Sequence, residues 1–193
     1  MLPHDGGTQE LDRPVVNLVR FGNVEPDLLE NLARSVEGFF RFIGEEDIVQ
    51  PAVLRSRRTL PEKIPDVYQG DFLLSHMDHV PGNIVIGVAD LAFYDPSLPR
   101  NVFGYGHSGK GSLSTFRFRK ECENRQLLYE RLNKEVIKIL ALASDLSSCN
   151  NQHCILVYHR TMQDLDQNTA VCPACRQKFV KSLKWYLGAK NHG

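Results

Sequence analysis

Apolar positions follow two different periods near the start of the chain, and together they predict a strand followed by a helix. Residues 14–21 (PVVNLVRF) are rich in β-branched and apolar side chains and precede Gly22-Asn23, which is typical of a strand that ends in a turn. In residues 26–43 apolar side chains recur at helical spacing, and Gly44 follows as a C-terminal cap. We expect this helix to pack against a sheet that contains the first strand.

The middle of the chain contains shorter apolar segments, most of which are typical of strands. Its most apolar stretch, residues 83–94 (NIVIGVADLAFY), predicts a central strand that Asp95-Pro96 stops. The other predicted segments are a strand at 48–54, a charged surface excursion at 55–68, a short helix at 69–80, and two short strands at 102–106 and 113–119 joined by a GHSGKG turn. A strand, helix and strand followed by a hairpin-like pair predict a mixed sheet in an α/β or α+β fold.

The last third of the chain predicts two helices with a cysteine-rich segment between them. Residues 123–146 contain no proline or glycine and carry a stripe of apolar side chains at helical spacing, so they predict the longest helix. Residues 173–187 predict a final helix that carries Phe179, Leu183 and Trp185.

Composition narrows the possible partners and the cellular compartment. Lysine plus arginine and aspartate plus glutamate both number 23 in 193 residues, so the net charge gives no general attraction to nucleic acid or to an anionic membrane. No run reaches the roughly 18 apolar residues of a membrane helix. Four of the five cysteines crowd into the last quarter of the chain, which favours a metal site in a reducing compartment over disulfides. We therefore expect a cytoplasmic protein with neither a nucleic-acid nor a membrane partner.

The spacing of those four cysteines predicts one structural zinc ion. Cys149 and Cys154 form a C-x4-C pair, and after seventeen intervening residues Cys172 and Cys175 form the pair CPAC. Two tight pairs of thiolates satisfy a tetrahedral zinc ion and leave no position for a substrate, so the predicted role is folding rather than catalysis. His153 lies within the first pair and is the alternative ligand.

The same region resembles the archaemetzincins, a family of zinc-dependent peptidases. The resemblance rests on KEVIKILALASDLSSCNNQHCIL followed by AVCPACRQKF, and on GVADLAFYDPSLPRNVFGYG at residues 87–106. It extends from residue 14 to about residue 183. It implies a mostly parallel, twisted, mixed sheet with an antiparallel edge strand, packed by helices as in metzincins, at residues 1–148. A structural-zinc subdomain with the C-terminal helix would follow at residues 149–193.

The catalytic motif of that family, HExxHxxGxxH, does not occur in this chain, which has no histidine between Ser108 and Gln152. When the motif is anchored on Cys149, its three ligand positions fall on Lys138, Leu142 and Ser148. In this register Ile139 takes the place of the glutamate and Asp145 the place of the turn glycine. The family's methionine after the second cysteine is also absent, because Ile155 and Leu156 follow Cys154.

In a second possible register, Lys134-Glu135-x-x-Lys138 replaces HExxH, and Glu135 keeps the motif's glutamate. Neither register provides a catalytic zinc site, because a lysine cation offers zinc no lone pair and leucine has no donor atom. Without zinc no hydroxide forms from bound water. The resemblance therefore implies a pseudo-peptidase with no catalytic residues, which binds a peptide or protein in the former cleft. An edge strand at residues 102–105 is the predicted point of pairing.

Two other functions fit parts of the sequence. A relocated metal site that combines His107 with His153 or His159 would make the chain an active zinc metalloprotease or aminopeptidase. A zinc-ribbon-like module would use the CPAC region for interaction or nucleic-acid binding. It would depend on Lys178, Lys181 and Lys184.

Several remaining residues have ordinary interpretations. His76 and His79 have ligand-like spacing but are typical of a polar surface. The GYGHSGKG segment precedes a predicted strand rather than a helix, so it indicates a hairpin and not a phosphate loop. Cys122 is a possible reactive thiol without a neighbouring histidine in sequence.

Overall fold

A computed structural model describes residues 14–44, 51–59, 67–68, 70–94 and 102–188. The main sheet has five strands in the order β2-β1-β4-β7-β6. The strands are β1 (Val15–Phe21), β2 (Ala52–Arg58), β4 (Ile84–Ala89), β6 (Gly104–His107) and β7 (Lys110–Ser114), while β3 (Val67–Tyr68) and β5 (Ala92–Phe93) form a second, two-stranded sheet. All neighbours in the main sheet are parallel except β6, which is antiparallel to β7 at the edge. The predicted mixed sheet with an antiparallel edge strand is therefore confirmed.

Helices cover both faces of this sheet. They are α1 (Pro26–Ile43), α2 (Gly70–Ser75), α3 (Phe116–Glu121), α4 (Arg125–Ala143), α5 (Met162–Gln167) and α6 (Pro173–Gly188). Side chains that alternate along β1 and β4 enter two separate cores, because successive strand residues point to opposite faces. Val16 and Ile86 pack in the core of α1, α4 and α6, whereas Val19 and Val85 pack in the core of α2. The described residues contain no helix long and apolar enough to cross a membrane.

Most of the predicted elements occur, with shifts at their ends. The helices predicted at residues 26–43, 123–146 and 173–187 correspond to α1, α4 and α6. The strand predicted at 48–54 begins later and runs to Arg58; residues 45–50 lie outside the described part. The helix predicted at 69–80 is limited to Gly70–Ser75 and is followed by turns, and residue 69 is also outside the described part.

Two predicted strands are wrong in detail. Residues 113–119 alternate in polarity, but the strand ends at Ser114 and α3 follows, because Thr115 has a helical backbone conformation with φ −93° and ψ −9°. The strand predicted at 83–94 is interrupted after Ala89, where Asp90 accepts hydrogen bonds from Thr115 and Arg119 instead of continuing the ladder. Short α5 was not predicted, since the cysteines obscured any periodicity there.

The C-terminal helix shares the main core with the rest of the chain. Phe179 of α6 packs its ring 5.1 Å from that of Phe39 in α1, and Leu183 is fully buried in the same cluster. The division into 1–148 and 149–193 stays a prediction, with apolar contacts extending across it.

The end of α4 is fixed by a residue in an unusual backbone conformation. Asp145 has φ 59°, a left-handed value that is uncommon for residues with a β-carbon. Its carboxylate accepts the Ser108 N–H at 2.7 Å in the β6–β7 turn and the Tyr186 hydroxyl in α6. Burial and this bond to Asp145 raise the pKa of Tyr186 to about 12. One side chain thus connects α4, the hairpin turn and α6.

We expect Asp145→Ala to destabilise the fold by about 2–3 kcal/mol, because it loses both hydrogen bonds and keeps a β-carbon in the left-handed region. Asp145→Gly should cost only about 1 kcal/mol, since glycine adopts this conformation freely. Urea denaturation of both variants measures the difference. Equal losses would show that the backbone conformation contributes nothing.

Candidate metal centre and the adjoining cleft

The structure brings the four predicted cysteines together. The sulfur atoms of Cys149, Cys154, Cys172 and Cys175 all lie within 4.8 Å of one another, and those of Cys149 and Cys172 are 3.9 Å apart. A tetrahedral zinc ion with Zn–S bonds of about 2.3 Å places its sulfurs about 3.8 Å apart. The donor set and its spacing therefore fit one zinc ion with small side-chain adjustments.

Short backbone bridges hold the two cysteine pairs against each other. The Cys149 N–H donates to the Leu156 carbonyl at 2.9 Å, and the Ile155 N–H donates to the Ala170 carbonyl at 3.1 Å. The Cys172 N–H points to the Cys154 sulfur at 3.4 Å, a contact between the pairs. The sulfurs are thus positioned by main-chain contacts from both loops.

The four thiols differ in their readiness to ionise. A hydrogen bond from the Cys175 backbone N–H lowers the pKa of Cys172 to about 7. Burial raises the pKa of Cys154 and of Cys175. A divalent ion that binds all four as thiolates must therefore displace protons from the buried pair, which makes its affinity dependent on pH. His153 is exposed and is not part of this group.

The geometry of α4 favours the first of the two registers for the lost peptidase motif. In HExxHxxGxxH the glycine provides a turn three residues after the second histidine. Anchored on Cys149, that position is Asp145, which lies just beyond the end of α4 and has a left-handed conformation. In the second register it would be Ala141, which lies inside the helix. The left-handed conformation of Asp145 thus favours Lys138, Leu142 and Ser148 over the second register as the counterparts of the three ligand positions.

These three positions now have separate roles. Lys138 is 5% exposed and its ammonium lies 3.3 Å from Glu135, one turn earlier on α4. Leu142 is half-buried and packs closely against Gly106 of strand β6, where a β-carbon on residue 106 would clash with it. Ser148 is exposed. Nothing at these positions resembles a converging set of zinc donors.

Lys138 belongs to a buried polar cluster that sequence reasoning did not assemble. His159 Nδ1 lies 2.9 Å from Glu135 Oε2, and Asn168 Nδ2 lies 2.9 Å from His159 Nε2. Asn168 Nδ2 also donates to the Asp164 carbonyl at 2.7 Å. Glu135, His159 and Asn168 are at most 3% exposed. The cluster joins α4 to the chain between Cys154 and Cys172, and the 24 residues between Glu135 and His159 hide it from sequence patterns.

The contacts of this cluster fix the orientation of the His159 ring. Asn168 must present its amino group to the Asp164 carbonyl, so the same amino group faces His159 Nε2, which accepts. His159 Nδ1 faces Glu135 Oε2 and also lies 3.4 Å from the Lys138 ammonium. The Lys138 ammonium and the Glu135 carboxylate balance each other's charge.

The electrostatics of the cluster keep Glu135 ionised. Burial alone would raise the pKa of Glu135, but the Lys138 ammonium and the His159 N–H together lower it below its ordinary value. The ring of Tyr158 lies 5.5 Å from the Lys138 ammonium, so an aromatic face also contacts the cation.

An open cleft of about 600 Å³ adjoins this cluster. Its lining includes Ser148, at the third ligand position of the lost motif, together with Tyr158 and Asn168. A second groove of about 810 Å³ runs beside the cysteines and is lined by Lys178, Lys181 and Trp185, but its lining does not include Lys184. Two of the three lysines of the zinc-ribbon alternative therefore line this groove, and Lys184 is exposed outside it.

The relocated metal site gains no support from the described residues. Both ring nitrogens of His159 have partners inside the protein, and His107 is exposed at the end of β6. In the part of the chain that the structure describes, the four cysteines are the one group of three or more His, Cys, Asp or Glu side chains that converges. His76 and His79 do not form such a group, and Cys122 accepts a hydrogen bond from Arg131 at 3.3 Å.

Comparison with known proteins finds similarity to archaemetzincins. No family model matches the chain. An archaemetzincin of Pyrococcus furiosus is 26% identical over 190 residues, covering 89% of this chain and 95% of that protein. An archaemetzincin of Aeropyrum pernix is 29% identical over 97 residues, and there the match spans about half of each protein, 50% and 52%.

Solved structures share the fold over most of its length. An archaemetzincin from Methanopyrus kandleri superposes with a TM-score of 0.76 at 23% identity, covering 91% of this chain and 98% of that one. An archaemetzincin from Archaeoglobus fulgidus, complexed with malonate, gives a TM-score of 0.70 at 20% identity, covering 84% and 99%. The fold implied by the sequence resemblance is therefore confirmed.

We expect Cys172→Ser and Cys175→Ser to release the metal ion and to make residues 149–188 sensitive to proteolysis, because the binding energy of a structural zinc ion is folding free energy. Cys122→Ser, a cysteine outside the group, is the matched control and should change neither property. Metal content and limited proteolysis measure the effect. A single cooperative melt that is unchanged by chelation would contradict a structural zinc site.

Glu135→Gln and Lys138→Met should each destabilise the protein by about 3–5 kcal/mol, because each leaves a buried charge without its partner. The double variant should lose less than the sum of the two, as urea denaturation at neutral pH would measure. Since the pKa of Glu135 is lowered on folding, its contribution is complete above the ordinary carboxyl pKa and disappears as the pH falls through the lowered value. Additive losses at neutral pH would argue against the pair.

Proposed function

We propose that this chain, which is similar to archaemetzincins in sequence and in fold, is a member of that family that retains one structural zinc ion and binds a polypeptide segment without hydrolysing it. The observation that supports the proposal is that the side chains at the three positions assigned to catalytic ligands do not converge on a metal site. Lys138 is buried in an ion pair, Leu142 packs near β6, and Ser148 is exposed beside the cleft.

Peptide hydrolysis in a zinc peptidase needs a zinc-bound water and a base that removes its proton. The Lys138 ammonium repels a metal cation, and Leu142 offers it no donor atom. Ile139 cannot act as the base, and Glu135 is fully engaged with Lys138 and His159. The residues of this region therefore serve the packing of α4 and leave the cleft without a metal-activated nucleophile.

The cleft beside Ser148 is the proposed place of peptide binding. Strand addition at residues 102 and 103 is prevented by the chain itself, since the Val102 N–H donates to the Phe93 carbonyl and both side chains are buried. Residues 102 and 103 therefore do not provide the backbone pairing site for a peptide that the sequence predicted. The open polar cleft is lined by Ser148, the proposed counterpart of the third ligand position, and this supports the cleft as the binding surface.

Elemental analysis of purified protein should find one tightly held zinc ion per chain, because only the four cysteines supply a closed donor set among the described residues. The zinc-loaded protein should not cleave peptide substrates above a blank. Two zinc ions per chain, one of them easily removed by a mild chelator, together with chelator-sensitive peptidase activity would overturn the proposal.

Rebuilding the motif tests the register on which the proposal depends. A variant with Lys138→His, Ile139→Glu, Leu142→His and Ser148→His should bind a second zinc ion, because three imidazoles then converge after the turn at Asp145. The matched control, Lys134→His, Lys138→His and Ser144→His, keeps Glu135 and follows the second register. It should bind no second ion tightly. The reverse outcome would favour the second register.

A further inference from the structure

The four cysteines of the metal centre differ in their access to solvent. Cys154 is fully buried and Cys175 is 7% exposed, whereas Cys149 and Cys172 are only half-buried. Cys149, Cys172 and, with its smaller exposed fraction, Cys175 line the open groove of about 810 Å³. A small molecule that enters this groove from solvent therefore reaches Cys149 and Cys172 more readily than the other two cysteines.

The two half-buried cysteines are also neighbours in space, although they are 23 positions apart in sequence. Their sulfur atoms lie 3.9 Å from each other. Cys149 belongs to the C-x4-C loop and Cys172 to the CPAC loop, so the contact crosses from one loop to the other. A covalent bond between these two sulfurs would hold the loops together in place of a metal ion.

We propose that Cys149 and Cys172 form a site of reversible oxidation, at which a peroxide converts the centre from a zinc-held to a disulfide-held state. One thiolate attacks hydrogen peroxide, so that an S–O bond forms, the O–O bond breaks and hydroxide leaves. The second thiolate attacks the oxidised sulfur, so that the S–S bond forms, the S–O bond breaks and a second hydroxide leaves. The two sulfurs supply the two electrons that reduce the peroxide, and two protons from solvent convert both hydroxides to water.

The oxidised centre loses the metal ion but keeps the connection between its loops. Cys154 and Cys175 alone do not make a closed zinc site, so the ion is released. The hydrogen bond from the Ile155 N–H to the Ala170 carbonyl, at 3.1 Å, does not involve the oxidised sulfurs and continues to join the two segments. A thiol reductant and zinc reverse the change, and in a reducing compartment a disulfide of this kind is transient, as in redox sensing.

The test treats the full zinc-loaded chain, in a Cys122→Ser background, with increasing amounts of hydrogen peroxide. A colorimetric indicator measures released zinc, and peptide mapping after alkylation of free thiols identifies the disulfide. We expect one zinc ion released for each Cys149–Cys172 disulfide formed, with Cys154 and Cys175 recovered as alkylated thiols. Limited proteolysis of residues 149–188 should be about tenfold slower in the oxidised protein than in reduced protein stripped by a chelator, because only the former retains a cross-link.

A pair of variants tests whether the groove is the route of the oxidant. Ala174→Trp, on the groove lining, should slow zinc release by peroxide several-fold, because the indole covers the opening. Gln177→Trp, exposed on α6 but outside the lining, is the matched control and should release zinc at the unmodified rate. Equal rates in the two variants would show that the oxidant does not pass through the groove.

Other products of the oxidation would contradict the site. A disulfide between Cys172 and Cys175 would leave the loops unjoined and overturn the assigned pair. Retention of zinc at peroxide excess, or sulfinic acids without any disulfide, would overturn reversible oxidation at this centre. Peptide binding in the cleft does not depend on these sulfurs being oxidised, so the proposed function is tested separately.

Discussion

The arrangement of the C-terminal half depends on the carboxylate of Asp145. At this residue α4 ends in a left-handed turn, and the side chain binds the Ser108 N–H of the β6–β7 hairpin and the Tyr186 hydroxyl of α6. The same turn directs the chain toward Cys149 and the metal centre. Glycine would adopt the backbone conformation at lower cost, but it would not connect the hairpin to α6. Asp145 therefore both forms the turn after α4 and provides the hydrogen bonds that connect the hairpin to α6.

Helix α4 uses its polar side chains to hold the segment that follows the first cysteine pair. Arg131 pairs with Asp166 at 2.7 Å, and Lys134 donates to the Leu165 carbonyl at 2.7 Å. Glu135 and Lys138 extend these contacts to His159. A buried ion pair seldom stabilises a fold more than apolar residues of the same size would. Here the pair contributes to the specificity of the fold, because it positions the 159–168 segment. Glu135 contacts both Lys138 and His159 Nδ1, and Asn168 contacts His159 Nε2.

The proposed function assigns no catalytic metal to α4. The Lys138 side chain of this helix is buried, and its charge is balanced internally by Glu135. The cleft keeps an opening beside Ser148 and a polar lining, and its floor is made rigid by the Asn168–His159–Glu135 hydrogen bonds. Rigidity of that kind suits a binding surface, since little ordering is needed when a ligand arrives.

The sequence by itself determined the features that depend on neighbours along the chain. The helices were predicted from the 3.6-residue period of their apolar side chains. The metal centre was predicted from two cysteine pairs whose short spacing brings the sulfurs of each pair together. The two-residue alternation of a strand misled at residues 113–119, where the alternating side chains belong to the end of β7 and to α3. Only the tertiary structure placed Asp145 in a left-handed conformation, which favours the first proposed register, and only it joined Glu135, Lys138, His159 and Asn168. Those contacts form between segments more than twenty residues apart, where packing of the whole fold, and no local period, determines which polar groups meet.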